Sequence, residues 1–82
     1  MNVHIKVFPI AGLCDQTRRL ELALENGSMG ELQSLLHKEL DLDMSKFETL
    51  MFMHNGRALD RRRDVVFDDG DELWLLPLLC GG

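Results

Sequence analysis

The chain is 82 residues long and carries 14 Asp and Glu against 9 Lys and Arg, for a formal net charge of −5. A chain of this length forms one small domain with little room for a buried catalytic cleft. Its negative charge argues against nucleic acid as the main partner. Neither a basic leader with an apolar segment nor an apolar run of about 18 residues is present. We therefore expect a cytoplasmic protein with no membrane contact.

The first two predicted elements are strands in which apolar residues occupy every second position. In the first strand these inward residues are β-branched: Val3, Ile5 and Val7. In the second, residues 19–24, they are leucines: Leu20, Leu22 and Leu24. The intervening segment contains Pro9, Gly12 and Asp15, which break the alternation. The pattern predicts an antiparallel hairpin with a loop of moderate length.

A helix is predicted after the turn residues Glu25-Asn26-Gly27. Ser28 and Glu31 have the spacing of a capping box, with Ser28 as N-cap and Glu31 at the third helical position. Leucines follow on one stripe of about three turns: Leu32, Leu35, Leu36 and Leu40. We expect this stripe to pack on the inward residues of the strands.

Three further strands are predicted, at residues 49–54, 57–59 and 73–76, and Asn55-Gly56 is a strong turn signal between the first two. Asp68 to Asp71 form a tight turn into the last strand. The order β-β-α-β-β-β predicts an α+β fold, a ubiquitin-like β-grasp in which a mixed sheet carries one main helix on one face. We place this domain at residues 1–76 and a flexible tail at 77–82.

One helix cannot cover both faces of a sheet, so the second face should remain open. The two-residue period assigns apolar side chains to it: Phe8, Met51, Met53, Trp74 and Leu76. His4 and Lys6 of the first strand should lie on the same face. Exposed apolar clusters usually mark partner sites, and methionine suits a surface that fits more than one partner. We predict that these residues bind partner proteins. The alternatives are a homodimer that buries the same cluster and a strand register that differs by one residue.

Other groups of side chains in the sequence could in principle form metal or catalytic sites. The side chains that could ligate a metal are His4, His37, His54, Cys14 and Cys80, but no pair has a recognised ligand spacing. The two cysteines form no C-x-x-C motif. The acidic run at 68–72 lacks the spaced ligands of a calcium loop. No Ser/His/Asp set can be assembled either, so we expect neither a bound cofactor nor a metal.

The last six residues are Pro77, Leu78, Leu79, Cys80, Gly81 and Gly82. Glycine has no Cβ, so a Gly-Gly terminus can pass close to another protein surface where any side chain would clash. We predict that the carboxylate of Gly82 is the working group. A mobile terminus without function is the alternative, and Cys80 is either a resolving thiol or an incidental small residue.

The segment from Asp69 to Gly82 resembles the sulfur carriers of the MoaD/ThiS family. The shared features are the Asp-Gly-Asp-Glu turn, an apolar strand, a proline and the terminal Gly-Gly. The remaining elements fit in order, so the resemblance covers essentially the whole chain. Pro77 makes it closer to the small subunit of molybdopterin synthase than to the thiazole carrier. The chain departs from that branch at Leu78, often a second proline, and at Cys80, commonly small and polar.

The resemblance implies a protein substrate and not an enzyme. An ATP-dependent activating enzyme of the MoeB/ThiF type would adenylate Gly82, and sulfur would then replace the adenylate to give a C-terminal thiocarboxylate. The sulfur would pass to a MoaE-like synthase subunit, for molybdopterin or tungstopterin, or to thiazole synthase. Because adenylation also begins protein conjugation, a ubiquitin-like modifier or binding module remains the alternative.

Overall fold

The computed structural model describes residues 1–10, 15–42, 48–60 and 65–77. It contains five strands and one helix in these ranges: β1 Asn2–Val7, β2 Arg18–Ala23, α1 Met29–Leu40, β3 Leu50–His54, β4 Arg57–Leu59 and β5 Glu72–Pro77. The predicted order of elements is confirmed. The last strand extends one residue further than predicted, because Pro77 still pairs with Leu50.

The strands form one sheet in the order β2-β1-β5-β3-β4. β1 and β5 are parallel, whereas the other neighbours are antiparallel. The β3–β4 turn has the left-handed backbone that Asn-Gly favours, with φ of 51° at Asn55 and 85° at Gly56. This mixed sheet with one helix on one face is an α+β, ubiquitin-like β-grasp fold, as predicted.

The core lies between α1 and one face of the sheet. Every strand residue predicted to face inward is buried or, for Leu20, packs partly buried against the core. Four apolar residues outside the predicted strands and helix stripe also enter this core: Ile10, Met29, Leu42 and Phe67. Within the described ranges no polar or charged residue is buried. The fold therefore rests on apolar packing.

The predicted helix stripe packs against the core, but its four leucines are not equally buried. Leu32, Leu36 and Leu40 are buried, but Leu35 is only partly buried at the edge of the core. Met29, the first helical residue, is buried in the same row. Spacings of three, four and four residues from Met29 to Leu40 follow one helical face more closely than a stripe that includes Leu35.

The helix cap has only one of the two hydrogen bonds of the predicted capping box. Ser28 Oγ accepts a hydrogen bond from the Glu31 amide at 3.1 Å, as expected. The Glu31 carboxylate, however, accepts from the amides of Glu25, Asn26 and Gly27 at 2.6–3.1 Å, while the Ser28 amide donates to Asn26. The Glu25 amide above all lowers the pKa of Glu31, against the opposing effect of desolvation.

Candidate functional site

The site begins where β5 ends. β5 lies in the middle of the sheet between β1 and β3, and its last residue, Pro77, is held opposite Leu50. β5 therefore ends between its two neighbouring strands, in the middle of the sheet. Five residues with predicted roles in the tail lie outside the described residues, and their roles stay predictions: Leu78, Leu79, Cys80, Gly81 and Gly82.

The face of the sheet opposite α1 carries the five residues predicted to bind partners. We call this set the apolar patch: Phe8, Met51, Met53, Trp74 and Leu76. β3 and β5 bring four of them into register, with Met51 opposite Leu76 and Met53 opposite Trp74. The amide of Phe8 donates to the Leu75 carbonyl at 3.0 Å and adds the fifth residue from the end of β1. The patch therefore adjoins the point where the tail begins.

The apolar patch is less open than the strand pattern alone predicts. Only Met51 is classed as exposed, at 38%, whereas the other four members are half-buried. Phe8 and Trp74 pack edge to face with ring centroids 5.6 Å apart. The ammonium of Lys6 lies 4.9 Å from the Phe8 centroid and 5.6 Å from the Trp74 centroid. Ring packing and a cation–π contact thus cover part of the patch.

The opposite end of the open face is polar. Glu72 Oε1 accepts a hydrogen bond from the Trp74 indole at 3.0 Å, which directs the indole N–H towards the start of β5. His4 Nδ1 lies 3.8 Å from Glu21 Oε2 across the β1–β2 pair. A shallow depression of about 550 Å³ runs over this end, and its lining includes His4, Lys6, Arg19 and Glu21. The open face therefore changes from polar to apolar towards the tail.

A polar network lies at the start of β5. The Asp71 carboxylate accepts hydrogen bonds from His54 Nε2 at 2.7 Å, from the Asp68 amide at 2.9 Å and from Asn55 Nδ2 at 3.1 Å. Burial raises the pKa of Asp71, but these three donors outweigh it and the pKa is lowered overall. Because the network joins the β3–β4 turn to the turn before β5, we assign it to positioning the strands.

The three histidines, which were considered as possible metal ligands, lie apart and have different partners. His4 faces Glu21, His54 faces Asp71, and His37 Nδ1 contacts the carbonyl of Leu42 just beyond the helix. Cys14 and Cys80 lie outside the described residues. Across the described ranges no three His, Cys, Asp or Glu side chains converge on a possible metal position. Nor is any described helix long and apolar enough to cross a membrane.

Sequence reasoning missed two features of this region. One is the contact of Lys6 with the Phe8 and Trp74 rings, because it depends on the β1–β5 register that places Lys6 opposite Trp74. The other is the network around Asp71, whose partner His54 is 17 residues away along the chain. The Asn-Gly and Asp-Gly-Asp turn motifs were visible in the sequence, but nothing local indicates that the two turns touch.

No protein-family model and no curated protein sequence matches this chain. Solved structures do resemble it. The chain is similar to a structure of the protein–protein complex of subunits 1 and 2 of the molybdopterin-converting factor from Helicobacter pylori, with a TM-score of 0.66, 22% identity and full coverage of both chains.

It is also similar to SAMP1 from Haloferax volcanii, with a TM-score of 0.75, 18% identity and full coverage of both chains. A third similar structure is the Haloferax volcanii HVO 2177 protein in solution, with a TM-score of 0.66, 20% identity and coverage of 100% of this chain and 87% of the other. These likenesses confirm the β-grasp fold and agree with the resemblance to MoaD-like proteins at the level of the fold.

Proposed function

We propose that this chain is a ubiquitin-like sulfur carrier. An activating enzyme adenylates the carboxylate of Gly82, sulfur replaces the adenylate, and the resulting thiocarboxylate delivers sulfur for cofactor biosynthesis. In this role the chain is a substrate of other enzymes and binds no cofactor of its own. ATP is used by the activating enzyme.

One observation carries the proposal: the central strand of the sheet leads directly into the Gly-Gly segment. β5 is paired on both sides and ends at Pro77, and five residues follow in the sequence, ending in Gly81 and Gly82. The folded domain thus provides a surface that a partner can bind. The segment after it ends in two glycines, so it can extend into a narrow site on that partner. The length of these five residues, up to about 17 Å when extended, suits insertion into a partner's active site.

Adenylation makes the carbonyl carbon of Gly82 reactive towards nucleophiles. A carboxylate is a poor electrophile because its negative charge repels nucleophiles. In the acyl-adenylate the C–O bond to AMP can break, so attack by the terminal sulfur of a persulfide at the Gly82 carbonyl carbon expels AMP and forms an acyl disulfide. A second thiol then attacks the donor's sulfur in that S–S bond, forms a disulfide with the donor and releases the thiocarboxylate. The product holds its sulfur as a nucleophile at the end of the tail.

The apolar patch is the proposed docking surface for both partners of this cycle. It adjoins the start of the tail, so a protein that covers it also receives the tail. The two methionines are flexible and can adapt to two different surfaces. These partners are the MoeB/ThiF-like activating enzyme and a sulfur-accepting subunit.

A MoaE-like synthase subunit is the proposed acceptor, and molybdopterin or tungstopterin the proposed product. Two observations favour it over thiazole synthase. Pro77 follows the pattern of the molybdopterin branch, and a similar structure is that of a complex between the two subunits of a molybdopterin-converting factor. Conjugation to a protein amine, the modifier alternative, would instead leave Gly82 in an isopeptide bond.

The proposal is tested by adenylation of purified chain with the ATP-dependent activating enzyme from the same organism, measured as ATP–pyrophosphate exchange. The Gly82-deleted chain should melt at the wild-type temperature and support no exchange. The matched control is Gly30→Ala, a glycine change on α1 with nothing within 4 Å of the added Cβ, and it should support wild-type exchange. Normal exchange by the Gly82-deleted chain would refute the proposed function.

A further inference from the structure

Two cations lie directly opposite each other on the open face of the sheet. The β1–β2 register pairs Lys6 with Arg19, so both side chains leave the sheet on the side away from α1. Cβ atoms of such cross-strand pairs are about 4.5–5.5 Å apart, and like charges there destabilise the sheet. A rule of sheet pairing is therefore broken at this position, and such violations are expected at functional sites.

Among the carboxylates that the structure describes, none forms an ion pair with Lys6 or Arg19. The chain has an excess of acidic residues, 14 against 9 basic ones, yet within the described ranges no Asp or Glu oxygen lies within 4.0 Å of the Lys6 or Arg19 nitrogens. The nearest carboxylates on this face interact elsewhere: Glu21 faces His4, and Glu72 accepts from the Trp74 indole. Arg19 is exposed.

The position of the pair connects it to the apolar patch. Lys6 lies opposite Arg19 on one side and opposite Trp74 on the other. Its ammonium is held over the Phe8 and Trp74 rings, at the border of the patch. One step further from the tail, the row formed by Glu21, His4 and Glu72 is acidic. Among the described strand residues, the Lys and Arg side chains of the open face thus lie between the acidic row and the patch.

We propose that Lys6 and Arg19 are a charge determinant of docking, and that they pair with carboxylates on the activating enzyme beside the site that covers the apolar patch. This inference rests on the proposed function and names the chemistry of the partner surface. A chain of net charge −5 repels an acidic surface overall, and neighbouring cations offset that repulsion where they lie. An acidic partner site is therefore attracted to this border of the patch and fixes the orientation in which the tail enters.

The test is the KM of the activating enzyme for this chain, with kcat measured in the same ATP–pyrophosphate exchange assay. Arg19→Glu should raise the KM about tenfold or more at low ionic strength and leave kcat unchanged. Arg19→Gln should give an intermediate increase. The difference between wild type and Arg19→Glu should shrink at about 1 M salt, where the Debye length is about 3 Å.

Folding does not confound this comparison. Arg19→Glu replaces a like-charge pair by an opposite-charge pair with Lys6, so the melting temperature should stay the same or rise. Lys38→Glu is the matched control: Lys38 is exposed on α1, and the substitution changes the net charge equally on the other layer. Its KM should stay within about twofold of wild type, because charges beyond a Debye length are largely screened.

Three results would overturn the inference. A wild-type KM for Arg19→Glu would show that the pair does not take part in docking. An equal rise in KM for Lys38→Glu would assign the effect to net charge. A wild-type chain that is never adenylated would refute the proposed function, and this inference with it, whereas normal adenylation with an unchanged KM for Arg19→Glu would refute only the inference.

Discussion

Gly27 precedes the helix at a place where a side chain cannot fit. Its φ is +71°, and a Cβ would lie 2.6 Å from the carbonyl oxygen of Phe67. The same glycine accepts a hydrogen bond from the Phe67 amide at 2.8 Å, which ties the helix start to the segment before β5. The position requires glycine for both backbone conformation and space.

We predict that Gly27→Ala lowers the free energy of unfolding by about 1–3 kcal/mol. An alanine there would have to adopt a left-handed conformation, and its Cβ would clash with the backbone. Gly30→Ala, three residues further in the first helical turn, has open space around the added Cβ and should stabilise the protein by about 0.4–1 kcal/mol. Urea denaturation of both variants measures the contrast. Equal effects of the two substitutions would contradict the geometry around Gly27.

Asp71 makes stability depend on pH in the acid range. Its pKa is lowered in the folded chain, against burial, by the Asp68 amide and by the His54 and Asn55 side chains. A carboxyl group with a lowered folded pKa stabilises the fold above its unfolded pKa, about 3.9 for aspartate. That stabilisation is lost as pH falls through the lower folded value.

We therefore expect Asp71→Asn to cost about 1–3 kcal/mol of stability near neutral pH, since an amide cannot accept from all three donors. Between about pH 5 and pH 2 the wild type should lose stability and approach the variant. Glu39→Gln, on the exposed side of α1, controls for charge removal. A constant difference between wild type and Asp71→Asn across this range would contradict the assigned pKa direction.

At the scale of the element, the helix register distinguishes two adjacent leucines. Leu36 is fully buried, whereas Leu35 lies partly buried at the edge of the core. Leu36→Ala should cost about 2–5 kcal/mol, a large share of the roughly 5–15 kcal/mol that stabilises a domain. Leu35→Ala should cost on the order of 1 kcal/mol. A larger loss at Leu35 than at Leu36 in thermal or urea unfolding would mean that the helix is rotated.

The strands β3 and β5 provide the second element-scale prediction. Met51 is the most exposed member of the apolar patch, at 38%, and should contribute more to docking than to the fold. Met51→Gln should therefore keep the melting temperature and weaken binding to the activating enzyme several-fold. Val66→Gln is the control, because Val66 is exposed at 68% and pairs with Ser28, outside the patch. Equal affinity of wild type and Met51→Gln for the activating enzyme would show that Met51 does not take part in docking.

At the scale of the whole molecule, the fold could be predicted from local patterns. Two-residue alternation identified the strands, Asn55-Gly56 identified the hairpin, and the Ser28 signal placed the helix start to within one residue. These patterns are local in the sequence, so they can be recognised without knowledge of the tertiary structure. The open face also followed, since one helix covers only one side of a sheet.

Long-range pairing could not be predicted in the same way. Phe67 follows a charged segment without periodicity, yet it is fully buried and packs edge to face against His54, 4.8 Å between centroids. The Lys6–Arg19 pair depends on the register of the β1–β2 hairpin, which cannot be predicted from the length of its loop alone. The half-buried state of Trp74 depends on its neighbours Phe8 and Lys6. In each case the information lies in residues distant along the chain.

The central claim is that Gly82 carries sulfur, and the mass of the native protein tests it most directly. Chain purified from its own cells without reducing agents should contain a fraction heavier than the sequence mass by the difference between a sulfur and an oxygen atom. Fragmentation should place that difference on Gly82 and establish Gly82 as the last residue, and the fraction should vanish when the activating enzyme is deleted. A carboxylate mass alone, in cells that accumulate the sulfur-containing cofactor, would contradict the account.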